Sequence, residues 1–206
     1  MNCARGARGE FLPQSAVVIF PNVAAREAIK KALAGRFALQ CVGAAASPAE
    51  ALSVVERTTP DVVIVGQHLV NAAEVLDCRN LRAVSPASRL IMLTWYARER
   101  DPLISLLAGA SACLLLEIGA IDALAAVIER VAAGENLIYL ERGEHLAQLL
   151  GPSGPFADAG QREVMARVFQ LQTDADIAQA LGMAPEDVHD SIGEIVRMLT
   201  PSSGLY

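Results

Sequence analysis

Between residues 16 and 135, short apolar runs alternate with helical stripes. The runs are Ala16–Phe20, Ala38–Val42, Val62–Val65, Leu90–Leu93 and Ala112–Leu115. They are brief and continuous, and the third is entirely β-branched, as expected of strands covered on both faces of a parallel sheet. Helices are predicted between and after them, over Ala24–Leu33, Pro48–Thr58, Ala72–Val84, Pro102–Leu107 and Ile121–Ala133. Ser47-Pro48-Ala49-Glu50 supplies a capping-box-like start with proline in the first turn. Residues 121, 124, 125, 127, 128 and 131 form an apolar stripe of helical period. Five strands alternating with five helices predict a doubly wound parallel α/β sheet.

The pattern changes after residue 135. Residues 136–157 read as a linker with one helix, Arg142–Leu150, closed by the breaker-rich Gly151-Pro152-Ser153-Gly154-Pro155. Three further helices are predicted over Ala159–Gln170, Thr173–Leu181 and Pro185–Leu199, the last two separated by Gly182 and Pro185. A helix, a tight turn and a second helix make a helix-turn-helix unit, placed at 158–200. Residues 1–15 are expected to be a disordered lead and 201–206 a tail.

Composition narrows the classes. At 206 residues with 53% hydrophobic content, the chain can build one full α/β domain and a small second one. No apolar run reaches the roughly 18–20 residues of a membrane span, so a cytoplasmic protein is expected. Cys3, Cys41, Cys78 and Cys113 are scattered and do not cluster with His68, His145 or His189. Free thiols and no metal or other cofactor follow. Neither a nucleophile–base pair nor a phosphate-cradling glycine loop is present, so there are no candidate catalytic residues and no enzyme is expected.

Two stretches point to a family. Leu107-Ala108-Gly109-Ala110-Ser111-Ala112, following Met92-Leu93-Thr94, resembles the region of the fourth and fifth strands in bacterial receivers. Arg162-Glu163-Val164-Met165, Asp176-Ile177-Ala178, Leu181 and Val188 resemble the LuxR-type helix-turn-helix. In that order they resemble NarL/FixJ response regulators over about 185 residues, Ala16 to Leu199. The resemblance implies a flavodoxin-like (βα)5 receiver at 16–135 followed by a small all-α domain. It also implies a homodimer formed through the receiver. The segment after Leu199 is too short and too rich in breakers for the family's fourth helix.

Set against the family pattern, the phosphorylation site is degenerate. Aligned on Arg26, the two metal-binding acids fall on Phe20 and Pro21. The phosphoacceptor aspartate falls on Gly66 and the lysine that contacts the phosphoryl group falls on Leu116, while the hydroxyl of the fourth strand survives as Thr94. Phosphoryl transfer to a carboxylate requires an acceptor oxygen, a divalent cation and a cation for the product. All three are missing, so the receiver is expected to work as a pseudo-receiver. Asp61 and Glu117 lie beside the expected positions but face the other side of their strands. Phe20, Leu116 and the glycine either fill the pocket or line a small-ligand site, and Trp95-Tyr96 fits a subunit face or a ligand contact.

Charge modifies the output domain as well. Net charge is −6, and residues 158–200 hold eight acids against three arginines. Affinity for DNA rests first on basic groups neutralising phosphates. The surface expected to meet DNA or a protein is instead Pro185, Glu186, Asp187, His189 and Asp190. Val188, Ile192, Ile195, Val196 and Leu199 keep the apolar stripe that packs this helix. The combined expectation is a regulator of transcription that acts without aspartyl phosphorylation and binds DNA weakly or with a partner. The alternative is a protein-interaction module that uses its acidic last helix to bind another regulator, a kinase or polymerase, without contacting DNA.

Overall fold

The computed structural model describes residues 4–5, 11–12, 15–37, 39–66, 71–94, 102–115, 121–138, 156 and 158–199. Its centre is a five-stranded sheet of β3 (Ser15–Ile19), β4 (Gln40–Ala45), β5 (Val62–Val65), β6 (Arg89–Thr94) and β7 (Ala112–Leu115). All pairs are parallel, in the order β4-β3-β5-β6-β7. The helices are α1 (Val23–Phe37), α2 (Pro48–Thr58), α3 (Ala72–Val84), α4 (Pro102–Leu107) and α5 (Ile121–Ala132). The chain runs from β3 to β4 in one direction and to β5 in the other. The topological switch point, where such sheets form a ligand crevice, therefore lies beyond the carboxyl ends of β3 and β5. Phe20 and Gly66 are the first residues past those two ends.

Alternating side chains on each strand feed two apolar layers. Ala16, Val18, Ile64, Ile91 and Leu93 pack with Ile29 and Leu33 of α1 and Leu124, Ile128 and Val131 of α5. Val17, Ile19, Val63, Val65 and Met92 pack on the opposite side with Ala51 and Val55 of α2 and Val75, Cys78 and Leu81 of α3.

This second layer does not stop at the receiver-like domain. It continues into Phe156 and into α6 (Ala159–Val168), α7 (Asp174–Leu181) and α8 (Pro185–Leu199) through Val164, Met165, Ile177, Val188, Ile192, Ile195 and Val196. Two units anticipated as separate domains thus share one contiguous apolar core. Thr173 caps α7 in a full capping box with Asp176, and Gly182, with φ of 67°, closes it in the left-handed region that glycine adopts without steric cost.

Several boundaries differ from expectation. The strand anticipated at Ala38–Val42 is displaced to Gln40–Ala45, because its second half is the small run Gly43-Ala44-Ala45, which carries little apolar signal. A bulge lies inside it: Ala16 pairs with Cys41 but Val17 with Gly43, leaving Val42 as the extra residue. α1 continues to Phe37 instead of ending at Leu33. Part of the lead expected to be disordered forms a two-stranded antiparallel ladder, β1 (Ala4–Arg5) with β2 (Phe11–Leu12). The helix expected at Arg142–Leu150 lies outside the described residues.

Candidate functional site

At the switch point, Phe20 is 1% exposed. Its ring lies over Gly66 so closely that a Cβ built on the glycine would overlap the ring. Glycine is required here by close approach, since Gly66 is not among the glycines with positive φ. Backbone bonds fix the arrangement: Gly66 N–H donates to Ile19 O at 2.8 Å and Phe20 N–H to Ala45 O at 3.1 Å. Arg26 adds a clamp, with Nη1 donating to Phe20 O at 2.6 Å and to Ala45 O at 3.4 Å. Thr94 is buried at the end of β6 and Pro21 is exposed. Leu116, Glu117, Trp95 and Tyr96 lie outside the described residues.

One expectation about this end is corrected. Asp61 precedes β5 and so sits at the amino end of the sheet, a full strand away from Gly66. There its carboxylate accepts from Ser15 N and Oγ, both at 3.0 Å, tying β3 to β5. The two positions were separated by the direction of the strand, not by the facing of its side chains.

A second polar constellation lies where α3 and α4 meet α7 and α8. Arg79 is buried on α3, and its Nε and Nη2 both donate to Asp174 Oδ1, the former at 2.6 Å. Its Nη1 donates to Leu107 O at 2.9 Å, linking α4 to the same group. The other carboxylate oxygen, Asp174 Oδ2, is 3.1 Å from His189 Nδ1 on α8. Asp174 is thus held by α3 of the receiver-like domain and by the last helix together. Close packing of a side chain of α3 on α8 accompanies this. A Cβ on Gly193, in the middle of α8, would stand 3.1 Å from Leu76 Cδ1 of α3.

One turn along α3, Arg82 is also buried. Its Nη1 donates to Gly109 O and Leu171 O, each at 3.3 Å. Burial, with the like charges of Arg79 and Arg89, pulls its pKa down to about 10. Leu171 holds a positive φ of 56°, unusual for a branched residue, in the turn that presents its carbonyl.

These two arginines were missed in the sequence, although a signal existed. Residues 75, 78, 79 and 82 fall on one helix face, and at 79 and 82 that face carries arginine where the stripe calls for apolar residues.

The acids of the C-terminal helices divide into two groups. Asp174 is neutralised in the seam, Glu163 pairs with Arg167 at 3.3 Å, and Asp176 is engaged in the capping box. Hydrogen bonds from Thr173 hold the Asp176 carboxyl below its ordinary range. The remaining acids of α8, Glu186, Asp187, Asp190 and Glu194, are exposed, as is Pro185. His189 alone among the anticipated contact residues is turned inward. Across the seam on α3, burial and then Glu74 push the Asp77 carboxyl up, partly offset by His189.

Among the described residues no cluster of three His, Cys, Asp or Glu could hold a metal ion, and no helix is long and apolar enough to cross a membrane. The sheet order and helical layers define a flavodoxin-like receiver fold joined to a C-terminal helical unit. Among solved structures, the chain resembles a LuxR-family two-component response regulator from Aurantimonas sp., with TM-score 0.53 and 23% identity over 61% of this chain and 89% of that one. It also resembles the response-regulator domain of Thermotoga maritima CheB, with TM-score 0.50 and 17% identity over 59% of this chain and 97% of that one.

No family model matches the sequence. Relatives in sequence are the DNA-binding transcriptional activator DevR/DosR of Mycobacterium tuberculosis, 28% identical over 78% of this chain and 76% of its own length. A nitrate/nitrite response regulator homologue of Haemophilus influenzae is 26% identical over 80% of this chain and 79% of that protein. The homologues of this chain are response regulators.

Proposed function

We propose that this protein is a response-regulator-type regulator of transcription that works without aspartyl phosphorylation and contacts DNA weakly or with a partner. The observation that carries the first part is the Phe20 ring packed onto Gly66. In the family pattern these positions hold a metal-binding acid and the phosphoacceptor. Here the glycine offers no oxygen and the ring occupies the volume a side chain would need. An apolar plug at the switch point supports a receiver whose conformation is set by packing. It also argues against a ligand cavity at Phe20 and Gly66.

The second part rests on α8. Its inner face meets α3 where Gly193 lies against Leu76, His189 bonds Asp174 of α7, and its outer face presents Glu186, Asp187, Asp190 and Glu194. With its inner face packed, α8 has an acidic outer face to offer a major groove. The exposed carboxylates also lack the phosphate-neutralising contribution on which DNA affinity depends. The alternative, a module that binds another protein through α8, is favoured by the same exposed carboxylates, which fit a basic surface.

Selection from random duplex DNA at low salt separates the two readings. Enrichment of a motif, with affinity falling steeply as salt rises, supports direct binding. Failure to enrich any sequence at low salt removes the DNA-binding reading and leaves the protein-interaction module. The triple variant Glu186→Lys, His189→Lys, Asp190→Asn is expected to gain affinity, because it reverses the sign of the exposed helix face and unties His189 from Asp174.

A further inference from the structure

Among the described residues, the charges that meet at the seam of α3, α7 and α8 do not balance. Arg79 binds Asp174 directly, and Arg82 lies in the field of Asp176 and Asp174. Those two arginines and two acids offset one another, which leaves the carboxylate of Asp77 on α3. Asp77 is partly buried, and burial followed by Glu74 pushes its carboxyl up. The group that works against this shift is His189, acting across the seam from α8.

His189 is placed to answer the odd charge. Its Nδ1 is 3.1 Å from Asp174 Oδ2 while its field reaches Asp77, so the imidazole acts on carboxylates of both α7 and α3. The side chain is 25% exposed, which lets a proton reach it from solvent. Other charged groups around α8 are engaged elsewhere or turned outward. α4 carries no titratable side chain, and on α6 Arg162 donates to Phe156 O while Glu163 pairs with Arg167. On α8 itself Glu186, Asp187, Asp190, Glu194 and Arg197 are exposed, where solvent screens them. A neutral imidazole can donate one hydrogen bond to Asp174. An imidazolium keeps that bond and adds the missing charge.

We propose that the seam is a proton-operated latch: docking α8 on α3 takes up one proton, held by His189 against Asp174 and Asp77. A proton on His189 attracts Asp77 across the seam and strengthens docking, and its loss returns the unanswered charge. Falling pH therefore closes the seam and rising pH loosens it. Asp77 acts with the same sign. Stability tied to its protonated form is complete below the unfolded value and is lost as pH rises through the raised folded one. From about pH 6 to about pH 8, above the carboxylate range, the imidazole is the group that changes. The latch concerns how two units are joined, so it stands whether α8 meets DNA or a protein.

The test is hydrogen exchange of the full chain, with the amides of β5 as an internal reference for those of α8. After correction for the intrinsic pH dependence of exchange, protection of α8 relative to β5 should fall about three- to fivefold from about pH 6 to about pH 8. His189→Gln can still bond Asp174 but cannot take up the proton, so the ratio should become flat. Asp77→Asn leaves Asp174 in place, so the fall should shrink without vanishing. A ratio in the parent chain that does not change with pH would overturn the latch. So would a fall that survives His189→Gln at full size. A full-size fall in Asp77→Asn would confine the proton's effect to the contact between α7 and α8, and would overturn it too.

Discussion

The carboxyl end of the sheet and the seam between α3 and α7 handle buried chemistry in opposite ways. At the sheet end, Phe20, Gly66 and the bonds around them make an apolar plug closed by backbone contacts and one arginine clamp. At the seam, Arg79, Arg82 and Asp174 place charged groups largely out of solvent between two structural units, with His189 bonded to Asp174. The position where this fold class assembles its ligand chemistry has become a packing problem. The position where two domains normally part holds an ion pair, Arg79 with Asp174. Under the proposed reading, the difference teaches that the seam, where buried charges meet across two units, responds to a change in charge more than the plug does.

The largest effect is expected from Arg79→Leu. It leaves Asp174 buried without its main partner, a loss of about 3–5 kcal/mol if the seam stays closed. Opening of the seam would relieve part of that cost. The expected outcome is a lower melting temperature together with faster proteolysis between the two units. Unchanged melting would show that the seam contributes nothing.

Gly66→Asp comes next, at about 3 kcal/mol, because the new side chain must displace the Phe20 ring from a packed core. The double variant Phe20→Ala, Gly66→Asp should recover part of the loss by making room. If Gly66→Asp alone melts like the parent, the plug is looser than the structure indicates.

Much of the fold was legible before these contacts were known. Val62–Val65, Ala112–Leu115, Pro48–Thr58, Ala72–Val84, Pro102–Leu107 and Pro185–Leu199 have the limits that their periodicity predicted. Signals failed where residues are small, as at Gly43-Ala44-Ala45, or where an unexpected partner decides the outcome. Gly66 read as a lost function, whereas its packing role depends on a ring 46 positions earlier in the chain. Asp174 counted as one more acid repelling DNA, whereas a residue 95 positions away neutralises it. Local pattern records which face of an element is buried. It does not record which charged groups meet across two elements, so the arginines on the apolar face of α3 gave a signal but their partner Asp174 did not.

Gly193→Arg sharpens the comparison further. Glycine in a helix interior is worth about 1 kcal/mol less than alanine, so its presence in α8 marks a place where close approach outweighs propensity. A long charged side chain against Leu76 should separate α8 from α3 while leaving the sheet intact. The expected record is a larger radius of gyration by small-angle scattering with unchanged far-ultraviolet circular dichroism. An unchanged radius would mean that α8 is not held there.

Asp77→Asn should have the smallest effect, a gain of a few tenths of a kcal/mol at neutral pH, since the group is partly exposed and its field is screened. The sign follows from its raised carboxyl pKa. Stability associated with protonated Asp77 is complete below the unfolded value and is lost as pH rises through the folded one. The gain should therefore vanish in acid, below the ordinary carboxylate range. A gain that persists there would assign the effect to another cause.

The most direct measurement is intact mass and small-angle scattering of the full chain before and after incubation with acetyl phosphate and Mg²⁺. The account predicts no added phosphoryl group and no change in the scattering profile, because the plug at Phe20 and Gly66 leaves no acceptor. Gain of one phosphoryl group, with a change in shape, would contradict it.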